Sequence, residues 1–251
     1  MNRTLVLGTE IDRISFAGAI EQALGCMDER HSAYVVTPNT EIVLAAGKDE
    51  ALRRAIRASA LSLPDSVGIQ LACRILGMPI TERIPGIDFV LALLPHMAEK
   101  GRSVFLLGAK EGVAVRAADA LRARFPGLVI AGTENGYFDS RDEDALIERI
   151  NAVSPDLLLV CLGTPKQELW MHRSAARLRV GLMAGLGGAL DVFSGDLPRA
   201  PMRWRRGGLE WLYRLLREPK RIKRAAKLPL IVFAAAGNRI KGERKTWQRE
   251  S

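Results

Sequence analysis

Ser103-Val104-Phe105-Leu106-Leu107-Gly108 is an apolar run that stops at a glycine, and a helical pattern follows it over residues 113–125. A second run, Asp156-Leu157-Leu158-Leu159-Val160-Cys161-Leu162, is followed by Gly163-Thr164-Pro165-Lys166-Gln167-Glu168, which opens another helix. Continuous apolar runs, as opposed to alternating ones, are typical of strands that are buried on both faces of a parallel sheet. The sequence therefore predicts an α/β, Rossmann-like fold in which a mostly parallel sheet is covered by helices on both faces.

The same alternation extends outward from these two runs. One or two short strands are expected within residues 4–16, and helical patterns separate further predicted strands at residues 33–37, 61–63, 128–131 and 180–184. The strands at 33–37 and 61–63 each stop at a proline. We expect Thr40 to cap the helix after the first of them, and Asp65 or Ser66 to cap the helix after the second.

The composition is that of a globular protein. Of the 251 residues 48% are hydrophobic, which is enough for a substantial core, and the three cysteines are far apart and lack metal-binding spacing. Such cysteine usage indicates a reducing, cytoplasmic location. The N-terminus lacks the pattern of a signal peptide, and no apolar run reaches the roughly 18–20 residues of a membrane-spanning helix. We therefore expect a soluble or peripheral protein.

Positive charge is concentrated at the end of the chain. Residues 199–251 hold 16 Lys and Arg against 4 Asp and Glu, whereas residues 1–198 hold 21 against 24. The sequence thus predicts an α/β domain at 1–198 and a basic, helical appendage at 199–251. Such asymmetry indicates a polyanionic partner, which could be anionic lipid, nucleic acid or a phosphorylated substrate. The body shows no recognised nucleic-acid module, so we expect no nucleic-acid partner.

The appendage also has a helical charge pattern. One basic stripe is formed by Arg214, Arg217, Arg221 and Arg224, and the opposite side carries Leu209, Leu212 and Leu216. Two interpretations stay open: a solvated charged face whose leucines pack on the body, or a face that meets phosphate or lipid. The aromatic residues Trp204, Trp211 and Tyr213 favour the second, because such residues prefer membrane interfaces.

In a parallel α/β sheet, ligands bind at the carboxyl ends of the strands, where helix N-termini present free N–H groups. Residues suited to binding follow several predicted strands: Thr37, Asn39, Asp65, Gly108, Tyr137, Gln167, Glu168, and Gly185-Leu186-Gly187-Gly188 with Asp191. Taken alone, Asp65 is a helix cap, Asn39 a turn residue, and Gln167 a residue of a first helical turn. Because the fold would bring these loops together, their grouping predicts a binding site.

Several other chemistries are disfavoured by the motifs. The glycine-rich Gly185–Gly188 segment would need a third glycine at position 190 to match a dinucleotide-binding loop, and Leu190 is there. No Walker loop and no Cys-x-x-Cys pair is present. His31, His96 and His172 have no partners at ligand spacing, so we expect no metal site.

Together the loops resemble the WecG/TagA/CpsF glycosyltransferase family, glycosyltransferase family 26. The matching pieces run in the family's order over about residues 5–225: Thr37-Pro38-Asn39, Leu63-Pro64-Asp65, Arg83-Ile84-Pro85-Gly86-Ile87-Asp88, Phe105-Leu106-Leu107-Gly108, Asn135-Gly136-Tyr137-Phe138, Gly163-Thr164-Pro165-Lys166-Gln167-Glu168, Gly185–Gly188 with Asp191 and Gly195, Arg199-Ala200-Pro201, and Gly208-Leu209-Glu210-Trp211-Leu212-Tyr213-Arg214-Leu215 with Glu218-Pro219-Lys220-Arg221. One departure concerns Ser66, because the family usually has glycine after the Pro-Asp pair.

The resemblance implies an inverting, metal-independent glycosyltransferase without a cofactor. It would move N-acetylmannosamine, its uronic acid or a glucose-type sugar from a UDP-sugar to a sugar on undecaprenyl diphosphate, for teichoic acid, enterobacterial common antigen or exopolysaccharide. The implied location is peripheral, on the inner face of the cytoplasmic membrane. A homo-oligomer stays open, since family members can self-associate.

The resemblance also implies roles for individual residues. Asp65 would be the general base that takes the proton of the acceptor hydroxyl. Sugar substrates would be bound by Thr37, Asn39, Arg83 and Gln167, and UDP by Gly108, Tyr137, Gly185, Gly187 and Asp191. The lipid diphosphate or the membrane would be met by Arg214, Arg221 and Arg224, whose charge would also suit the leaving UDP.

A different class of protein stays open as an alternative. The same basic tail on a Rossmann-like scaffold could belong to a non-catalytic protein that binds membranes or polyanions. Stabilisation of the fold by UDP separates the two, because only the glycosyltransferase predicts it.

Overall fold

The structure is a computed structural model that describes residues 3–139, 141–206, 209–217 and 226–240. Of the one or two short strands expected near the start of the chain, two are present, β1 (Arg3–Val6) and β2 (Thr9–Asp12), and they pair as an antiparallel hairpin. The later strands are β3 (Ala33–Val36), β4 (Leu61–Ser62), β5 (Ser103–Gly108), β6 (Val129–Glu134), β7 (Leu157–Cys161) and β8 (Leu182–Gly185). The helices are α1 (Phe16–Glu29), α2 (Thr40–Ala46), α3 (Glu50–Arg57), α4 (Val67–Ile75), α5 (Gly86–Glu99), α6 (Val113–Arg124), α7 (Glu143–Val153), α8 (Lys166–Ser174), α9 (Ala189–Phe193), α10 (Met202–Arg206), α11 (Glu210–Arg217) and α12 (Lys227–Ile240).

The strands β3–β8 form one sheet in the order β4-β3-β8-β7-β5-β6, and every neighbouring pair is parallel. Parallel pairing puts the carboxyl ends of all six strands along one edge, where the loops to the following helices begin. The predicted α/β, Rossmann-like fold with a helical C-terminal appendage is confirmed.

Both faces of the sheet are buried, which explains the continuous apolar runs. Along β7, Leu157 and Leu159 pack into a cluster with α1, α5 and α6, whereas Leu158 and Val160 pack into a second cluster with α3, α7 and α8. Successive side chains of a strand point to opposite faces, so a strand between two helix layers must be apolar at every position.

The caps of α2 and α4 decide how the strand-end loops turn. The expected cap Thr40 is wrong: Asn39 is the cap, because its backbone is extended and its Oδ1 accepts from the N–H groups of Glu41 and Ile42 at 2.9 and 3.1 Å. Of the two candidates for α4, Ser66 is the cap, and its Oγ accepts from Ile69 N at 3.2 Å. The φ of Ser66 is −127°, so a side chain is accommodated without strain where the family usually has glycine.

The last helix completes a third apolar cluster under the N-terminal hairpin. Ile231 and Ala235 of α12 are fully buried against α4 and β1, next to Val6 and Ile69. An ion pair of 2.8 Å between Lys227 and Glu41 joins the start of α12 to α2. Within the described parts of the chain, no helix combines the length and the apolarity that crossing a bilayer requires. The domain boundary at residue 198 stays a prediction.

Candidate active site

A cleft with a volume of about 330 Å³ lies at the carboxyl ends of β4, β3, β8 and β7. Six of the residues that the sequence predicted for substrate or nucleotide binding or catalysis line it: Thr37, Asn39, Asp65, Arg83, Gln167 and Gly187. The C-terminal appendage closes another side of the cleft with Arg199, Glu210, Trp211, Leu215 and Leu228. The wall from the appendage therefore combines charged and apolar side chains.

Asp65 lies at the end of β4, half-buried in the wall of the cleft. Its backbone N–H donates to Pro38 O at 3.2 Å, and Ile84 N donates to Pro64 O at 2.8 Å, so the loop is held on both sides. Because Ser66 is the cap of α4, the interpretation of Asp65 as that cap is wrong. The carboxyl group of Asp65 therefore lies in the wall of the cleft, next to the residue that caps α4.

The polar residues after β3 have structural contacts as well. Thr37 is buried, and its Oγ1 donates to the carbonyl of Gly185 at 3.0 Å, which ties the end of β3 to the end of β8. The cap of α2 uses Oδ1 of Asn39, so a ligand contact falls to its Nδ2. Both side chains are therefore fixed before any ligand arrives.

Gln167 is held by hydrogen bonds at both ends of its carboxamide. Its Oε1 accepts from the N–H of Gly187 at 2.8 Å, and its Nε2 donates to Oε1 of Glu168 at 2.8 Å. The backbone of Gly185 lies directly behind it: an added Cβ would stand 3.1 Å from Gln167 Nε2 and 2.7 Å from Met171 Cε. Gly185 is thus a supporting residue that does not line the cleft, whereas Gly187 does.

Glu168 is fully buried. Besides Gln167, Thr164 Oγ1 lies 3.4 Å from its Oε1, while Oε2 has no hydrogen-bond partner among the described residues. Burial raises the pKa of the Glu168 carboxyl, and the hydrogen bond from Gln167 opposes that shift only in part. The neutral acid is therefore favoured here over a wider pH range than in water.

Besides Gly185, three further predicted nucleotide contacts lie outside the lining of the cleft. Gly108 and Tyr137 are at the neighbouring ends of β5 and β6, where the N–H of Gly136 donates to Ala109 O at 2.9 Å. Tyr137 is 75% exposed. The Nζ of Lys166, in the first turn of α8, donates to Gly136 O at 3.1 Å and so joins this corner to the rim of the cleft.

The third of these residues, Asp191, is half-buried in the first turn of α9. Its carbonyl accepts from the N–H of Leu197 at 2.8 Å. Its predicted contact with UDP, like those of Gly108 and Tyr137, stays a prediction.

Two of the four arginines of the predicted basic stripe lie outside the described residues. Arg221 and Arg224 lie outside the described residues, and of Arg214 and Arg217 only the backbone, in α11, is described. Of the leucines expected on the opposite side, Leu209 and Leu216 are 43% and 67% exposed, so these two are not packed on the body.

Sequence reasoning missed a pair of residues at the junction of the appendage with the body. Arg199 Nη2 donates to Asp88 Oδ1 at 2.5 Å, although 111 residues separate them, and Arg205 Nη1 is 3.5 Å from the same oxygen. The sequence did contain one signal for these residues, because Arg83–Asp88 and Arg199–Pro201 are both among the segments that resemble the family. Spacing along the chain could not show that the two segments meet.

No group of three or more His, Cys, Asp and Glu side chains is placed to hold a metal ion in the described ranges of the chain. Metal independence of the reaction stays a prediction.

A cleft at the carboxyl ends of a parallel sheet, lined by a half-buried carboxylate, amides and arginines, is typical of an α/β protein that binds a polar small molecule. The chain belongs to the WecG/TagA/CpsF glycosyl transferase family, whose family model matches residues 4–245. It is therefore a glycosyltransferase by family.

Two relatives carry the name N-acetylglucosaminyldiphosphoundecaprenol N-acetyl-beta-D-mannosaminyltransferase. The one from Bacillus spizizenii is 35% identical over 208 residues, which cover 83% of this chain and 80% of the relative. The one from Staphylococcus aureus strain MW2 is 33% identical over 233 residues, which cover 92% of this chain and 91% of the relative. The similarity thus extends over both the body and the appendage.

Proposed function

We propose that this protein transfers N-acetylmannosamine from UDP-N-acetylmannosamine to N-acetylglucosamine on undecaprenyl diphosphate, with inversion at the anomeric carbon. The observation that carries the proposal is the likeness to the two N-acetylmannosaminyltransferases over more than four fifths of the chain, together with the cleft that collects the family-like residues. The reaction would build a cell-surface polysaccharide. The resemblance left N-acetylmannosamine, its uronic acid and a glucose-type sugar open, and the relatives' names favour the first.

The wall of the cleft suits an inverting mechanism. An inverting transfer needs one base that takes the proton of the acceptor hydroxyl as this oxygen attacks the anomeric carbon. Asp65 is the carboxylate at the end of β4, and Thr37 and Gln167 lie in the same wall, where they can orient a sugar by hydrogen bonds. The β linkage in the relatives' name is what inversion of an α-linked nucleotide sugar produces.

The glycines of the cleft suit the nucleotide. Gly163 and Gly187 have φ of +76° and +55°, and an added Cβ at either would meet nothing within 4 Å, so both leave open space at the ends of β7 and β8. A diphosphate can approach such backbone closely. Cations would stabilise the negative charge that develops on the departing UDP.

The appendage suits attachment to an anionic membrane. Its described helices expose Leu216 (67%), Leu230 (57%) and Phe233 (74%), and the segment as a whole is strongly basic. Apolar side chains beside basic ones are typical of peripheral attachment to anionic lipid, and the lipid-linked acceptor lies in the membrane. We therefore propose a peripheral location at the inner face of the cytoplasmic membrane.

The test is a transfer assay with UDP-N-acetylmannosamine and a soluble short-chain prenyl-diphosphate N-acetylglucosamine, read as UDP release and as a β-linked disaccharide by NMR. Asp65→Asn should lower kcat by roughly 10²- to 10⁴-fold, the contribution of general-base catalysis. UDP should still raise the Tm of this variant, because the nucleotide site would be intact. Added EDTA should leave the wild-type rate unchanged.

Asp49→Asn is the matched control, since it is the same isosteric change at the start of α3, outside the lining of the cleft. Near-wild-type activity of Asp65→Asn would remove Asp65 as the base. A wild-type protein that binds anionic vesicles but neither binds UDP nor transfers sugar would instead be the non-catalytic alternative.

A further inference from the structure

Three arginines lie together at the junction between the appendage and the body, and two of them contact the carboxylate of Asp88. Arg199 and Arg205 both reach its Oδ1, at 2.5 and 3.5 Å, and Arg83 Nη2 donates to the carbonyl of Arg205 at 3.4 Å. We call Arg83, Arg199 and Arg205 the arginine cluster. With Asp88 included, the group carries a net charge of two positive units.

The donors of this cluster are only partly satisfied. The side chains of Arg199 and Arg205 are 17% and 21% exposed, and the Nε of each is buried without a hydrogen-bond partner in the described part of the protein. A guanidinium carries five N–H donors in a fixed fork, and unpaired buried donors are unfavourable. Arg199 and Arg205 share one oxygen of Asp88, whereas a diphosphate has several acceptors that can match guanidinium groups bidentately.

The cluster also opens onto the cleft, because Arg83 and Arg199 belong to its lining. The carboxylates of that lining are Glu41, Asp65 and Glu210, and Glu41 is paired with Lys227 at 2.8 Å. An anionic group bound in the cleft would therefore find its cationic partners at the arginine cluster.

The proposed reaction involves two diphosphates, one in UDP and one in the lipid-linked acceptor. The position of the arginine cluster favours the diphosphate of the acceptor. Ile84, next to Arg83, donates its N–H to Pro64 O, so the loop that carries Arg83 lies against the loop of Asp65. In an inverting displacement the acceptor attacks from the side of the base and the donor leaves from the opposite side. The arginine cluster is thus on the acceptor's side, and the glycines at the ends of β7 and β8 are left for the donor.

We propose that the arginine cluster binds the diphosphate of the lipid-linked acceptor. The proposal deepens, and depends on, the glycosyltransferase function given above. The competing explanation is a purely structural latch, in which Arg199 and Arg205 only fasten α10 to α5 through Asp88. The two explanations differ in what Asp88 does: in a latch it is a required partner, whereas in a binding site it competes with the ligand.

The experiment measures KM for the soluble prenyl-diphosphate acceptor, KM for UDP-N-acetylmannosamine, and Tm, in the full-length protein. Arg199→Gln should raise the acceptor KM by roughly 10- to 100-fold, the range for a lost hydrogen bond to a charged group. The KM for the donor should stay within about twofold. Asp88→Asn should leave the acceptor KM unchanged or lower it, because the arginines lose their competing carboxylate.

Arg116→Gln is the matched control, since Arg116 forms the same kind of ion pair, with Asp196 at 2.5 Å, away from the cleft. It should change neither KM. If Arg199→Gln fails to fold, Arg205→Gln serves as the second variant. It should raise the acceptor KM in the same way.

Similar increases in the acceptor KM for Asp88→Asn and Arg199→Gln would overturn the proposal in favour of the latch. A rise confined to the donor KM would assign the cluster to UDP and overturn it as well. Absence of transfer by the folded wild-type protein would instead contradict the proposed function. That outcome is distinct from the changes in KM that test the arginine cluster.

Discussion

Gln167 donates a hydrogen bond of 2.8 Å from its Nε2 to Oε1 of the fully buried Glu168. Its other end accepts from the N–H of Gly187 at 2.8 Å, so the buried acid, the cleft residue and the glycine loop after β8 form one chain of contacts. The orientation of Gln167 in the cleft is therefore set by a residue that no substrate can reach.

The first prediction concerns this contact. Glu168→Met keeps the volume but leaves Gln167 Nε2 without its acceptor, so kcat/KM should fall by roughly tenfold, as expected for one lost buried hydrogen bond. Glu168→Gln keeps a carbonyl acceptor and should stay within about threefold of the wild type. Transfer assays on both variants check this, and equal losses in the two would mean that the carboxyl group matters for another reason.

The second prediction concerns pH. Burial raises the pKa of Glu168 above 4.5, its ordinary value, so the folded protein keeps this proton to higher pH than the unfolded chain does. The stability that Glu168 contributes is therefore fully present below about pH 4.5 and is lost as pH rises through the folded-state pKa. Glu168→Gln does not titrate, so its stability relative to the wild type should increase with pH. Urea unfolding of both proteins from pH 5 to 8 measures the difference, and a constant difference would contradict the raised pKa.

The third prediction concerns Ser66, the cap of α4. Ser66→Ala should lower the free energy of unfolding by about 0.5–2 kcal/mol, because Ile69 N loses its side-chain acceptor. Ser66→Gly, which restores the residue usual in the family, should lower it by only a few tenths of a kcal/mol. Chemical denaturation checks both values. A larger loss for glycine than for alanine would show that the cap does not determine the preference at this position.

The fourth prediction concerns the membrane. Leu230→Ser combined with Phe233→Ser removes two exposed apolar side chains of α12 and should weaken binding to phosphatidylglycerol vesicles by at least tenfold in Kd. Val115→Ser, a change of the same kind at a 52% exposed position on α6, is the control and should not alter binding. Vesicle cosedimentation measures this, and unchanged binding of the double variant would remove α12 as the attachment surface.

Membrane binding is tested with point variants and not with a deletion after residue 198. Such a deletion would also remove Ile231 and Ala235, which are fully buried against the body. The basic stripe can be tested in the same assay. Replacing Arg214, Arg221 and Arg224 together by glutamine should weaken vesicle binding by about 1 kcal/mol per charge at low salt.

Much of the fold could be predicted because burial leaves a local signature. The run Leu157–Cys161 is apolar throughout since both of its faces are covered, and prolines and glycines mark where the strands stop. The caps were less predictable: Asn39 and Thr40 are adjacent and both are good caps, and only the backbone geometry makes Asn39 the one that reaches the free N–H groups.

Taken alone, the sequence determined the α/β class, the polar residues at the strand ends and the basic appendage, because each of these depends on the local pattern of apolar, polar and charged residues. Only the tertiary structure decided which of these residues meet. The insertion of β8 between β3 and β7 brings Gly185 to Thr37, and the fold of the appendage brings Arg199 to Asp88 across 111 residues. Strand order and the docking of a distant helix depend on long-range packing, which leaves no periodicity in the chain.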